Sequence, residues 1–241
     1  VQLISCKKDK INNPDVYVAG HVFNKTTGNI DAVIWKNGEK QTMGRLSTQT
    51  GSSQATDIFI LGNDVFSVGR AFTSSWNVVL WKNGTANAIT FFGNNSANSV
   101  FVNGASIYIA GQSNDRAAMW VNGVETILNT SLSVANDIFV SGTDVYVCGY
   151  GVSNALGRPI AKYWKNGTVF NLGDGTSDTR ANAIVVSGND VYVAGSSSNA
   201  PVCLGRYWKN GNPVDLTSPP GDAGLHTIAV NGNDVYAGGY E

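Results

Sequence analysis

The chain has 241 residues, 42% of them hydrophobic, and a formal net charge of −1. Such a length buries a sizeable core, and there is no basic stripe of the kind nucleic-acid binding needs. No apolar run approaches the roughly 18 residues of a membrane span, and three cysteines in no regular spacing do not make a disulfide framework.

The first residues, Val1-Gln-Leu-Ile-Ser-Cys6-Lys-Lys-Asp9, do not fit the pattern that follows. From Asp15 onward one phrase recurs: DVYVAG at Asp15 and Asp190, DVFSVG at Asp64, SIYIAG at Ser106, DVYVCG at Asp144 and DVYAGG at Asp234. Between the copies stands Trp-Lys-Asn-Gly, at Trp35, Trp81, Trp164 and Trp208, with WVNG at Trp120. A third phrase precedes the Asp: Ala55-x-x-Ile58, Ala97-x-x-Val100, Ala135-x-x-Ile138, Ala181-x-x-Ile184 and Leu225-x-x-Ile228, always nine residues ahead of it. A period of about 40–50 residues in a glycine-rich, strand-forming sequence is the signature of a propeller-type array.

Each repeat reads as four antiparallel strands. Strand 1 is the Ala-x-x-Ile-x-Val run, and a Gly-Asn turn leads into strand 2, Val-Tyr-Val-Ala-Gly. A variable loop leads to strand 3, which ends in Trp. Asn-Gly then turns the chain into strand 4, as in Thr168–Leu172 or Asn212–Leu216. The predicted fold is therefore all-β, a β-propeller of four-stranded blades, with five Trp-centred repeats and the start of a sixth. Residues 15–241 form it. The sequence breaks off inside a repeat, so a ring of six to eight blades is expected for the whole protein.

The repeat pattern resembles bacterial β-propeller repeat lipoproteins and is loosely similar to kelch blades. Leu3-Ile4-Ser5-Cys6 resembles the lipobox of Bacteroidota-type lipoproteins. That resemblance implies a signal-peptide end over residues 1–5, diacylglycerol on Cys6, and a polar tether over residues 6–14. It further implies a cell-envelope protein held at the outer membrane by its lipid anchor. The motifs carry no catalytic residues, so none transfers.

The repeated Asp is expected to cap its hairpin, and the repeated Trp to fill the space between blades and not to form a stacking platform. Cys148 and Cys203 read as small buried fillers, with a disulfide between neighbouring blades as the alternative. His21 and His226 share no spacing with each other or with carboxylates, so no metal or triad pattern is read and no cofactor is expected. Gly173–Asp178 reads as a solvated turn, since it lacks the ligands of a calcium loop.

Variable loops on a rigid scaffold carry binding. These are His21–Ile30, Ala71–Asn77, Gln112–Arg116, Tyr150–Ile160 and Ser196–Leu204 between strands 2 and 3, with Gly173–Arg180 and Thr217–Gly224 between strand 4 and the next strand 1. Trp76, the one Trp outside the repeat register, is the first candidate, followed by Arg116, Tyr150 and Arg158. The expected function is a non-catalytic, membrane-tethered module binding a glycan or a protein through the variable loops. A structural or assembly subunit of an envelope complex is the alternative, and a propeller hydrolase or lyase a third.

Overall fold

The computed structural model describes residues 14–152, 157–199, 202–218 and 221–241; Cys6 and the expected tether lie outside them. Among the described residues every regular element is a β-strand. The described chain divides into two compact units, which meet in sequence at Ala105 and Ser106.

In the first unit, β1 (Tyr17–Asn24), β2 (Asn29–Lys36) and β3 (Glu39–Thr42) form an antiparallel sheet in chain order. β4 (Ser53–Leu61), β5 (Asp64–Phe72), β6 (Trp76–Lys82) and β7 (Thr85–Ala88) form a four-stranded one, against which β8 (Asn95–Asn103) packs. The second unit opens with β9 (Ser106–Ser113), β10 (Arg116–Val121) and β11 (Val124–Ile127). Two four-stranded sheets follow: β12 (Ser133–Ser141), β13 (Asp144–Val152), β14 (Pro159–Lys165), β15 (Thr168–Asn171), then β16 (Asp178–Ser187), β17 (Asp190–Asn199), β18 (Val202–Lys209), β19 (Asn212–Asp215). The hairpin β20 (Gly224–Asn231) with β21 (Asp234–Tyr240) ends the chain.

Both tight hairpins are of the primed type that suits strand twist. At the strand 1–2 turns the glycine carries the positive φ, +60° at Gly62, Gly142 and Gly188. At the strand 3–4 turns both residues do, as in Asn37 (53°) and Gly38 (86°). The first is the pattern of a II′ turn and the second of a I′ turn. The expected Gly-Asn turn is present, with the glycine alone at positive φ.

A bulge explains a further letter of the repeat. Register slips by one residue between Ala55 and Asp57, Ala135 and Asp137, Ala181 and Ala183, and Leu225 and Thr227. The bulged backbone pushes a carbonyl against strand 2. A Cβ added at Gly69, Gly149, Gly195 or Gly239 would sit 1.9 Å from that oxygen. The glycine closing DVYVAG is thus required by close approach and not by a turn.

The bulge also joins one sheet to the next within each unit. Thr56 Oγ1 donates to the Ala97 carbonyl (2.8 Å), Asn136 Nδ2 to that of Ala181 (2.7 Å) and Asn182 Nδ2 to that of Leu225 (2.7 Å). Asp57 Oδ2 accepts the Val100 N–H, and Asp137 Oδ2 the Ile184 N–H, both at 2.8 Å. Higher up, Ser53, Ser133 and Thr179 accept the N–H of Ala32, Ala117 and Ala161 from the preceding sheet. Buried backbone groups freed by the bulge and the loops are satisfied this way.

Side chains fill the space between sheets on both faces, so central strands are buried continuously and do not alternate. One core gathers Ala32, Ile34, Met43, Ile58, Val79 and Trp81; another gathers Tyr146, Cys148, Ile184, Val193 and Trp208. Trp81, Trp120, Trp164 and Trp208 are fully buried, as expected of packing residues, while Trp35 is half-buried. Cys148 is buried, and desolvation pushes its thiol up; Cys203 is half-buried and not the fully buried filler expected. Both cysteines are free.

Candidate ligand groove

The two ends of a repeat differ in chemistry. At the tight-turn end the repeated side chains satisfy one another. Asn37 Oδ1 accepts the Val16 N–H while its Nδ2 donates to Asp15 Oδ1, both at 2.8 Å, and Lys36 Nζ sits 2.8 Å from Asp15 Oδ2. The same clamp joins Asp64 to Lys82 and Asn83, Asp144 to Lys165 and Asn166, and Asp190 to Lys209 and Asn210. The lysine ammonium also lies 5.2–5.3 Å over the aromatic ring of the DVY phrase, at Tyr17, Phe66, Tyr146 and Tyr192. The repeated Asp therefore accepts from side chains of the following turn, and Asn makes the backbone cap that had been expected of Asp. The lysine hydrogen bond first, and the asparagine second, hold the carboxyls of Asp15, Asp64, Asp144 and Asp190 below the usual aspartate range. In the third repeat Ser106 and Val121 remove the ion pair, and Asn122 Oδ1 still accepts the Ile107 N–H.

The long-loop end is different. Strand 2 runs past its glycine and keeps pairing with strand 3, down to Phe72 opposite Trp76. The loops between these strands are therefore shorter than expected, and His21, Trp76, Arg116 and Tyr150 stand in strands, not loops. In the first unit the loop after β3, the β5–β6 hairpin and the loop after β7 enclose a groove of about 330 Å³. Leu46 and Ala88 give it an apolar floor; Thr48, Thr50, Thr73, Ser74, Asn77 and Thr90 give it hydroxyls and an amide; Phe91 and Phe92 stand at its edge. These phenylalanines are 68% and 83% exposed.

Local bonds hold the groove's walls. Thr50 Oγ1 donates to the Thr73 carbonyl, and the Thr73 N–H to that of Ser75. Asn77 Nδ2 donates to Thr73 Oγ1 (2.8 Å) and to the Ser75 carbonyl (2.9 Å). Asn95 Nδ2 donates to the Phe92 carbonyl (2.7 Å), which fixes the loop that carries the two rings. Asn77 and Asn95 are only 1% and 2% exposed, yet the Oδ1 atom of each, like Ser75 Oγ, has no hydrogen-bond partner among the described residues.

In the second unit, the equivalent loops enclose a groove of about 600 Å³ lined by Asp174, Thr176, Ser177, Asn199, Leu204 and Arg206 among others. Its charged groups, Thr176 and Ser177 are already engaged. Arg206 pairs with Asp215 through two nitrogens, Asp174 Oδ1 accepts the N–H and hydroxyl of Thr176, and Ser177 bonds Ser197. The Thr176 bonds hold Asp174 below the usual aspartate range. They make Gly173–Asp178 an Asx turn, in keeping with the solvated turn expected from its sequence.

The four candidate residues are divided between the two units. Trp76, in the first unit, is half-buried beside Asn77. The Phe72 ring meets it edge-on at 5.5 Å, and the Arg70 guanidinium covers it at 4.3 Å. In the second unit Arg116 opens β10 opposite Ser113, and Tyr150 is capped by the Arg180 guanidinium at 4.3 Å. Arg158 reaches the Thr176 carbonyl at 3.3 Å and Asp178 at 3.5 Å. Sequence reasoning passed over Phe91, Phe92 and Asn95, and reached Asn77 only as the end of the Ala71–Asn77 loop. The signal was the run Phe91-Phe92-Gly93-Asn94-Asn95, which no other repeat carries at that place.

No family model matches the chain, and none of the curated proteins matches it by sequence. Among solved structures it is similar to a TolB of Agrobacterium tumefaciens, with TM-score 0.50 and 16% identity over 85% of this chain and 82% of that one. It is also similar to a Trypanosoma rangeli sialidase in complex with the inhibitor DANA (TM-score 0.49, 8% identity, 93% and 50% covered). A computationally designed protein, Ika8, gives TM-score 0.45 at 12% identity over 96% and 79%. The TolB likeness, together with the four-stranded antiparallel sheets, shows a β-propeller fold and nothing about activity.

Proposed function

We propose that this chain is a non-catalytic binding module that holds a glycan or protein ligand at the long-loop end of its repeats, in the groove of the first unit. The observation that carries this reading is the placement of two largely exposed phenylalanines beside a hydroxyl-lined groove on a scaffold whose other end is chemically closed. Exposed aromatics beside a concave polar surface are a recurrent mark of recognition. The lining holds no carboxylate, histidine or cysteine among the described residues, which supports binding without catalysis. The test is capture of ligands from envelope extracts and glycan arrays by the parent and by a Phe91→Ala/Phe92→Ala double variant. Ligands retained equally by both would overturn the groove as the binding site.

A docking subunit of an envelope assembly is the second reading, favoured by the adjacency of Phe91 and Phe92. It predicts that cross-linking in cells traps a stable multi-protein complex that the double variant loses. Either role is proposed to be exercised at the outer membrane, through a lipid on Cys6, as Leu3-Ile4-Ser5-Cys6 suggests. A Cys6→Ala variant is expected to leave the membrane fraction and lose fatty-acid labelling; unchanged labelling would exclude the anchor.

A further inference from the structure

We infer that the ligand of the first-unit groove is a neutral, hydroxyl-rich carbohydrate; this rests on the binding-module reading above and assigns its ligand class. Three observations converge on it. The first is the pair of unsatisfied acceptors. The Ser75 carbonyl can only accept, so it fixes the Asn77 amide with Nδ2 toward it and leaves Oδ1 unpartnered. The Phe92 carbonyl fixes Asn95 in the same sense. Buried acceptors without partners are rare and costly. Asn77 lines the groove itself, and Asn95 stands behind it, bonded to Thr90 and Phe92 of the lining. The ligand that suits them is a donor.

The second observation is a departure from the repeat. Asn95 occupies the position of Ser53, Ser133 and Thr179, whose hydroxyls accept the N–H of Ala32, Ala117 and Ala161 in the preceding sheet. Here that N–H, on Val78, is taken by Thr90 Oγ1 instead (2.9 Å). Asn95 is released from the scaffold bond and tied to the loop that presents Phe91 and Phe92. The junction has been rebuilt where, among the described residues, the buried side-chain oxygens of Ser75, Asn77 and Asn95 lack partners.

The third is charge. No Asp, Glu, Lys, Arg or His lines this groove among the described residues. Five hydroxyls line it. Thr50, which donates to the Thr73 carbonyl, keeps acceptor capacity, and Thr73 and Thr90, which accept from Asn77 and Val78, keep an O–H to donate. Thr48 and Ser74 complete a set that matches the dual character of sugar hydroxyls. The exposed Phe91 and Phe92 faces offer an electron-rich platform for the C–H side of a sugar ring. An anionic glycan would meet no compensating cation here. A groove of about 330 Å³ is at the small end of ligand pockets, which run from about 300 to 1,000 Å³, so a terminal or short segment is held and not a long chain.

The experiment is calorimetric titration of the purified protein with neutral hexasaccharides of glucose, mannose, xylose and galactose, and with acidic alginate and polygalacturonate oligomers. The expected result is saturable binding of at least one neutral sugar, insensitive to salt. It should be weakened roughly tenfold or more in Phe91→Ala/Phe92→Ala, and in Asn77→Leu whose melting temperature matches the parent. Binding of acidic oligomers alone, or no binding across the panel, would overturn the carbohydrate assignment. Neutral-sugar binding untouched by both variants would overturn it at this groove. If no sugar binds but a protein is captured through Phe91 and Phe92, the assignment fails while the binding-module reading stands. If neither sugar nor protein is retained through those rings, both fall.

Discussion

The two ends of a repeat use the same amide chemistry to opposite effect. At the tight turns, Asn83 and Asn166 spend both halves of the amide, with Oδ1 accepting a backbone N–H and Nδ2 donating to an aspartate. At the long-loop end, Asn77 and Asn95 use only the nitrogen half. A closed network stabilises a fold and has nothing left to offer a ligand; a half-used one tolerates a little instability and keeps a recognition surface. On the proposed reading, the chain separates these tasks along the length of each strand.

The largest effect should come from the layer that both ends share. Trp208→Ala removes a fully buried ring from the core around Ile184 and Val193 and is expected to cost about 3–5 kcal/mol, measured by urea denaturation. A loss below about 1 kcal/mol would mean that the indole is not a packing element. Next comes Asn166→Ala at a tight turn. It places an alanine at φ 50° and deprives the Val145 N–H of its acceptor, for a loss of about 1–2 kcal/mol with ligand affinity unchanged. Altered binding with an intact fold would break the division between the two ends.

Acid should attack the tight-turn end selectively. The clamp carboxyls titrate below their ordinary value of 3.8. The stability they contribute is therefore complete above that value and is lost as pH falls through their depressed range. An Asp64→Asn/Asp144→Asn/Asp190→Asn variant should be less stable than the parent at neutral pH and should approach it at strong acid. A stability gap that persists undiminished at about pH 2 would show that geometry and not charge holds the clamp. The smallest effect is expected from Phe92→Ala at the long-loop end. A side chain this exposed should change stability by no more than about 0.5 kcal/mol while weakening binding.

The repeat was legible in sequence because its letters are fixed by backbone demands. Asn-Gly at Asn166 predicts a turn, and Asp, Tyr, Lys and Asn recur because each completes the same clamp. The bulge was less legible. Ala-x-x-Ile announces a strand but not a slipped register, although polar Thr56, Asn136 and Asn182 in an apolar strand mark where the chain leaves its own sheet. Loop lengths were overestimated because Arg70 to Phe72 carry no strand signature of their own; pairing with Trp76–Val78 keeps them extended. The groove was least legible. It is assembled from three loops, and its distinguishing trait, an acceptor without a donor, belongs to geometry and not to residue type. Trp76 drew notice as the unmatched aromatic, but Arg70 covers one of its faces, while Phe91 and Phe92 beyond it stand open.

The stitch between neighbouring sheets has a consequence for how such a chain can change over generations. Thr56, Asn136 and Asn182 each reach a main-chain carbonyl, and the residue that owns this carbonyl is Ala97, Ala181 or Leu225. Because the partner is backbone, the joint does not ask what side chain the neighbour carries. A duplicated or deleted repeat would find its joints already compatible on both sides. The gene can lengthen or shorten by unequal crossing-over without first evolving matched pairs, and the long loops are then free to diverge one repeat at a time.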